Sequence, residues 1–267
     1  MPDRLLPAFA LSLVVAALAR WRGSLSASGS LGALIVGTVI FGFGGWDWGA
    51  QLGIFFVTSS LLSHFKEGQK QEIAEKFEKG HRRDMGQTLA NGGLGMVLAV
   101  GSQLWPDAVW LALFVGAMAT VTADTWATEL GTLSRRPPRL ITTGKRVPVG
   151  TSGGVSPLGT TVSLAGGLLI GLAAGALAPS LLLGVALLMG AFGGLAGSLF
   201  DSLLGATVQQ IYFCDVCGKE TEKQQHCGKP TRPLRGWAWL NNDLVNLFAS
   251  LAGGIVAAVT WLLASGG

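Results

Sequence analysis

The chain alternates long apolar stretches with short polar ones. Uninterrupted apolar runs lie at about 4–20, 30–45, 47–64, 86–104, 107–126, 157–177, 180–200 and 243–264. Each is near the ~20 residues an α-helix needs to cross a bilayer. The runs are continuous rather than alternating, which argues against an outer-membrane β-barrel. The second and third are short and glycine-rich, so their limits are the least sharp. The first has little positive charge before it and no small-residue cleavage site after it, so it is expected to be a retained helix and not a signal peptide. The pattern predicts an all-α, polytopic integral membrane helical bundle of about eight transmembrane helices, a single transmembrane domain over 1–267.

Composition narrows the class further. Of 267 residues, 49% are hydrophobic and only 13% are charged, and the mean hydropathy is +0.49. A soluble globule needs about twice that charge to cover its surface. A disordered chain, a basic nucleic-acid-binding domain and a disulfide scaffold are excluded on the same figures. Eighteen of the 19 Lys and Arg residues fall in four segments between apolar runs: Arg20 and Arg22; Lys66 to Arg83; Arg135 to Arg146; and Lys219 to Arg235. Eight crossings put all four segments on one side. The positive-inside rule assigns that side to the cytoplasm of a cell inner membrane or its equivalent. The main cytoplasmic loops are then about 65–85, 132–156 and 208–241. The first is dense in both charges and reads as a charged helix at the interface or a solvated connector.

Glycine is the next departure, with 40 residues. Small residues let helices in a bilayer approach closely, and that accounts for most of them. Gly92-Gly93 and Gly166-Gly167 are 74 positions apart, as are Gly131 and Gly205. A parallel internal repeat and chance in a Gly/Ala/Leu-rich chain are both open readings of that offset.

Carboxylates within or at the end of an apolar run cost several kcal/mol if exposed to lipid, so they mark a site or an aqueous cavity. Asp124 and Glu129 end the fifth run, and Asp201 ends the seventh. On one continuous helix Asp124 and Glu129 are about 140° apart, so other helices must supply the centre of any shared site. Asn91 lies early in the fourth run with Asp84 at its mouth, and Asn241, Asn242, Asp243 and Asn246 open the eighth. Asp243 also suits a helix N-cap. Oxygen donors gathered at one boundary suit a hard cation such as Mg²⁺.

The stretch Lys145 to Thr160 reads K-R-V-P-V-G-T-S-G-G-V-S-P-L-G-T. Gly150, Thr151, Ser152, Gly153 and Gly154 precede a helix that starts after Pro157. Glycines let backbone N–H groups turn toward an anion, and a helix start adds a positive dipole end. With Lys145 and Arg146 before it, and Arg82 and Arg83 on the same face, the stretch reads as a phosphate cradle. A flexible Gly/Ser linker has the same look, and no Walker A pattern is present. Finally, Cys214-x-x-Cys217-Gly and His226-Cys227-Gly offer four candidate ligands for a structural Zn²⁺; free reduced thiols are the alternative.

Taken as a set, R-R-D-M-G-Q-T-L-A-N-G-G (82–93), A-D-T-W-A-T-E-L-G (123–131), G-T-S-G-G-V-S-P-L-G-T (150–160), D-S-L-L-G-A-T (201–207) and N-N-D-L-V-N (241–246) resemble the integral membrane family known as domain of unknown function 92, or transmembrane protein 19-like. Its characterised plant members are phytyl-phosphate kinases. The resemblance covers about residues 30–260. It implies transfer of a γ-phosphoryl group from CTP or another nucleoside triphosphate to an isoprenyl or phytyl monophosphate, giving the diphosphate. Read onto this chain, that chemistry assigns Asp124, Glu129 and Asp201 to Mg²⁺, and Asp124, Asp201 and Lys145 to the catalytic step. Arg82, Arg83, Lys145 and Arg146 would neutralise phosphates, Gly150 to Gly154 would cradle one, and Asn91, Asn242, Asp243 and Asn246 would position the head group. Expected partners are the prenyl monophosphate, the nucleotide and membrane lipid, without nucleic acid. Two rival readings are a cytidylyltransferase that forms a CDP-lipid and releases pyrophosphate, and a small-solute transporter.

Overall fold

The computed structural model describes residues 2–66, 68 and 82–266. Most of the expected charged interface helix, 65–85, lies outside them. Eight helices run through the described residues: α1 Pro2–Trp21, α2 Ala27–Val39, α3 Trp46–His64, α4 Met85–Leu104, α5 Val109–Gly131, α6 Pro157–Leu177, α7 Leu183–Thr207 and α8 Asn242–Ser265. A π-helical turn, Ile40–Gly44, extends α2 until Gly45, whose φ of +92° ends it. Among the described residues six segments are long and apolar enough to cross a membrane: α1, α2 with its π turn, α5, α6, α7 and α8. The other two helices, α3 and α4, are diluted by polar positions such as Gln51 and Ser59, or Gln87 and Asn91. The expected all-α membrane bundle is the observed architecture.

The central helix is α5. Phe114, Val115, Ala117, Met118 and Ala119 on it are fully buried, and Trp48 of α3 stacks on Phe114 at 4.2 Å between ring centroids. α6, α7 and α8 pack on α5 backbone to backbone, which is what the glycines allow. A Cβ on Gly167 would stand 2.4 Å from the Gly190 carbonyl oxygen, and one on Gly253 would stand 1.9 Å from Thr120 Oγ1. Thr120 uses the close approach: its hydroxyl donates to Gly116 O on its own helix and to Gly193 O on α7, at 2.9 and 3.1 Å. Inter-helix contacts of this kind replace the hydrophobic drive that lipid removes. The outer faces carry exposed Leu13, Val97, Leu188, Ile255 and Leu263, as a lipid-facing surface does.

The apolar runs end before the helices do. α5 continues to Gly131 and α7 to Thr207. Asp124, Glu129 and Asp201 therefore sit inside helices and not at their ends, because backbone hydrogen bonding continues wherever the side chains find an internal polar cavity. The hairpins α4–α5 and α6–α7 enter from the same end of the bundle. At the offset of 74, however, Asp124 matches Ser198 and Asp201 matches Ala127, so the two aspartates are not equivalent positions of a repeat.

The polar segments at that end have their own structure. Residues 24–26 and 83 pair as short extended strands, with Arg83 N donating to Ser24 O and Ser26 N to Arg83 O, each at 3.0 Å. In the third loop, β1 (Arg139–Leu140) pairs antiparallel with β2 (Gly154–Val155). The fourth forms a small β-module and is not a plain connection. It comprises β3 (Ile211–Cys214), β4 (Lys219–Thr221), β5 (Gln225–His226), β6 (Lys229–Pro230) and β7 (Arg232–Arg235), with sheet order β4-β3-β7 and a separate β5–β6 hairpin.

Candidate functional site

The ends of α3, α5 and α7 and the starts of α4, α6 and α8 surround a cavity of about 300 Å³. Each helix start is set by its own cap. Asp84 caps α4 in a reciprocal box with Gln87, Ser156 Oγ accepts from Gly159 N at the start of α6, and Asn241 Oδ1 accepts from Leu244 N at the start of α8. The eighth helix is thus capped by Asn241 and not by Asp243, for which an N-cap was one of two open readings. Asp243 instead lines the cavity with Asn242 and Asn246.

Among the described residues five carboxylates line this cavity: Asp124, Glu129, Asp201, Glu222 and Asp243. Arg83 is the one cationic side chain among the described residues that do. Asp124 and Asp201 come from α5 and α7, and Asp201 lies within the field of both Asp124 and Glu222. Asp201 Oδ2 is buried with no hydrogen-bond partner. A buried, unpaired carboxyl oxygen beside two further carboxylates stays ionised only where a cation completes it. The oxygen-only donor set suits Mg²⁺.

Glu129 faces a different neighbourhood. Its Oε1 accepts from Ser63 Oγ at 2.6 Å, and it supports the charge of Arg83, whose guanidinium burial pulls below its usual pKa. The helix does not break between Asp124 and Glu129. The cavity wraps the end of α5, so the two acids reach it from different sides. Arg83 donates to Ser60 Oγ at 3.2 Å and lies over the rings of Phe55 and Phe56, which fixes its direction.

The Gly150–Gly154 stretch forms part of the wall. Its shape needs glycine at Gly153, where φ is +83° and a Cβ would strike Ala206 of α7 at 2.5 Å. Gln209, fully buried, ties three walls together. Its Oε1 accepts from Ser152 Oγ at 3.1 Å, and its Nε2 donates to Glu222 Oε1 at 2.9 Å and to Asn242 Oδ1 at 3.4 Å.

The expected residues thus separate. Arg83, Asn91, Asp124, Glu129, Gly150, Thr151, Ser152, Gly153, Gly154, Asp201, Asn242, Asp243 and Asn246 share the cavity. Arg82, Lys145 and Arg146 do not: all three are exposed, the latter two on a return segment in which Arg146 pairs with Arg139 and Lys145 O accepts from Leu140 N. Sequence reasoning missed Gln87, Gln209 and Glu222. Gln87 is one helical turn before Asn91, a spacing that could have revealed it. Glu222 had no such signal, since only the fold of the β-module turns it inward.

A second, apolar groove lies between α7 and α8 on the lipid-facing side. It is lined by Phe192, Leu195, Ala196, Leu199, Ile255, Val256, Val259 and Thr260. Leu195 and Leu199 also line the polar cavity, so the two spaces meet at one wall.

In the β-module, the ligand atoms of Cys214, Cys217, His226 and Cys227 lie within 4.8 Å of one another. All three cysteines are free thiols, and the Cys217 backbone N–H, with His226, draws the Cys214 thiol down to about 6.

Comparison with known proteins agrees with this architecture. The family model described as integral membrane protein DUF92 matches residues 10–254. Protein PGR of Arabidopsis thaliana is 35% identical, over 93% of this chain and 93% of that protein. The uncharacterized membrane protein MJ0933 of Methanocaldococcus jannaschii is 30% identical, over 97% and 94%. Protein VTE6, chloroplastic, of Arabidopsis thaliana is 30% identical over 87% of this chain and 64% of that protein. No solved structure matches significantly.

Proposed function

This chain belongs to the DUF92 family of integral membrane proteins, and from that premise we propose that it is a prenyl-phosphate kinase working at the cytoplasmic boundary of its membrane. The observation that carries the reading is the adjacency of the two spaces, which share a wall. A carboxylate-rich, glycine-walled cavity meets an apolar groove at Leu195 and Leu199. An isoprenyl monophosphate has the matching shape: its tail fits the groove between α7 and α8, and its head reaches the cavity.

In the reaction, an oxygen of the prenyl monophosphate attacks the γ-phosphorus of a nucleoside triphosphate. The bond from that phosphorus to the β-bridging oxygen breaks, leaving prenyl diphosphate and nucleoside diphosphate. A phosphate monoester is largely doubly ionised near neutral pH, so no general base is required. Positioning and charge neutralisation supply the catalysis. Arg83 neutralises one phosphate group, and the backbone of Gly150 to Gly154 borders another. Asn91, Asn242 and Asn246 orient the head group. Mg²⁺ held by Asp124 and Asp201, with Glu222 beside them, would offset the charge of phosphates that five carboxylates would otherwise repel. The polar residues gather at one end of the bundle and not midway along it, which disfavours the transporter reading.

The test uses purified protein with Mg²⁺, labelled CTP or ATP, and phytyl, farnesyl, geranylgeranyl and dimethylallyl monophosphates, read by product mass. Prenyl diphosphate with nucleoside diphosphate is expected. Pyrophosphate with a CDP-lipid, or solute flux without nucleotide consumption, would overturn the assignment. Ala196→Trp fills the groove without touching the polar cavity. It should raise KM for the long-chain acceptors about tenfold or more and leave KM for dimethylallyl monophosphate and nucleotide unchanged. An equal loss for every acceptor would remove the groove from the substrate site.

A further inference from the structure

The β-module between α7 and α8 has too little interior to hold itself together. Of its residues only Ile211, Cys214, Thr221 and Leu240 are fully buried beyond the Gln209–Gln210 junction, and its strands are two to four residues long. Segments of this size need a staple. We propose that Cys214, Cys217, His226 and Cys227 bind one structural Zn²⁺, and that this ion holds Glu222 in the polar cavity.

Four donor atoms within 4.8 Å of one another suit a closed tetrahedral site. Bond lengths of about 2.3 Å to sulfur and 2.0–2.1 Å to nitrogen separate neighbouring ligand atoms by roughly 3.5–3.8 Å. His226 Nδ1 lies 3.4 Å from Cys217 Sγ and 3.3 Å from Cys227 Sγ. Three thiolates and an imidazole favour zinc over the hard cations suited to the carboxylate cavity. The two ligand pairs sit on matched turns, each ending in a left-handed glycine, Gly218 at φ +67° and Gly228 at φ +73°.

Cys227 itself has φ +52°. The β5–β6 hairpin turn, Cys227-Gly228, needs positive φ at both positions, where Asn, Asp or Gly would be comfortable. A cysteine held there is a conformational cost that ligation explains. The left-handed turn is also what lets adjacent His226 and Cys227 direct their donors to one point.

Glu222 lies between the two ligand pairs, after β4, with Cys217 on one side of it and His226 on the other. Closing that loop with a metal fixes the direction in which the Glu222 carboxylate leaves the module. It then meets Gln209 Nε2 at 2.9 Å, beside Asp201. Glu222 is thereby a candidate participant in the cavity, and the four zinc ligands are positioning residues. The zinc claim stands on its own, while the role of Glu222 rests on the kinase reading above.

Full-length protein, purified in detergent without chelators, should carry a single zinc ion per chain by elemental mass spectrometry. Growth with Co²⁺ should give the visible bands of a tetrahedral thiolate site. The Cys214→Ser/Cys217→Ser protein should lose the metal and lose kinase turnover on the order of 10- to 100-fold. Glu222→Gln should match that loss of turnover with zinc fully retained. Folded, monodisperse wild-type protein with no bound zinc and three rapidly titrating thiols would overturn the site, whether or not the variants fold and whatever reaction the cavity performs. Zinc present, but turnover unchanged in both variants of a protein with kinase activity, would overturn its link to the cavity.

Discussion

Asp124→Asn and Asp201→Asn should each lower turnover by about 10²–10³-fold, the scale of removing one preorganised charged group from a transition state, while the protein still inserts and folds. Both side chains border the cavity, and Asp201 Oδ2 is buried without a partner. Amides of the same shape leave helix packing intact but remove the charge that attracts a divalent cation. The two losses should not add, because on the proposed reading both residues would hold one Mg²⁺. Raising Mg²⁺ should restore part of the turnover in either single variant, since weaker ligation is opposed by mass action. Steady-state rates across a Mg²⁺ titration, with thermal melting of the detergent-solubilised variants as the folding control, check this. Wild-type-like turnover in Asp124→Asn would end the metal assignment.

Arg83→Gln should raise KM for the phosphate-bearing substrates and depress turnover by a comparable 10²–10³-fold, and Arg83→Lys should rescue little of it. The guanidinium sits over Phe55 and Phe56 and donates to Ser60 Oγ at 3.2 Å. That is a directed placement of a planar group over two rings, which a point-charge ammonium does not reproduce. Removing it also leaves Glu129 without the cation it faces, which by itself destabilises the fold. The double variant Arg83→Gln/Glu129→Gln separates the two effects. Its melting temperature should recover toward wild type, and its turnover should not. Recovery of turnover along with stability would mean that Arg83 is only a scaffold for Glu129. By contrast, Lys145→Ala and Arg146→Ala, on the exposed return segment after β1, should leave KM within about twofold, as surface changes usually do.

Much of this was legible before any coordinates. Continuous apolar runs and four one-sided basic segments determine an all-helical membrane protein, since a bilayer leaves the backbone few other ways to satisfy its hydrogen bonds. Intramembrane aspartates, clustered asparagines and a Gly-Thr-Ser-Gly-Gly stretch marked most of the cavity wall for the same reason: each is unfavourable in lipid unless it lines something polar. The cysteine and histidine spacing marked a candidate ligand cluster independently of the helices, and the fold brings those four side chains together.

Other features depended on three-dimensional packing. Lys145 and Arg146 carry the right charge at the right place in the chain, but the return segment that pairs Arg146 with Arg139 leaves them exposed, while Arg83 is turned inward by its pairing with residues 24–26. The 140° between Asp124 and Glu129 is a true helical angle, yet the cavity curves around the end of α5 and receives both. Glu222 belongs to a hydrophilic stretch that resembles any other until its loop is folded back on Gln209. Sequence by itself determined the membrane class, the one-sided gathering of polar groups and the identity of the acids within the apolar helices, because these follow from the solvent each residue must face. Which acids meet, which cation joins them and where the apolar groove opens were decided by tertiary structure alone, because those depend on the directions in which separate helix ends and loops present their side chains across a shared space.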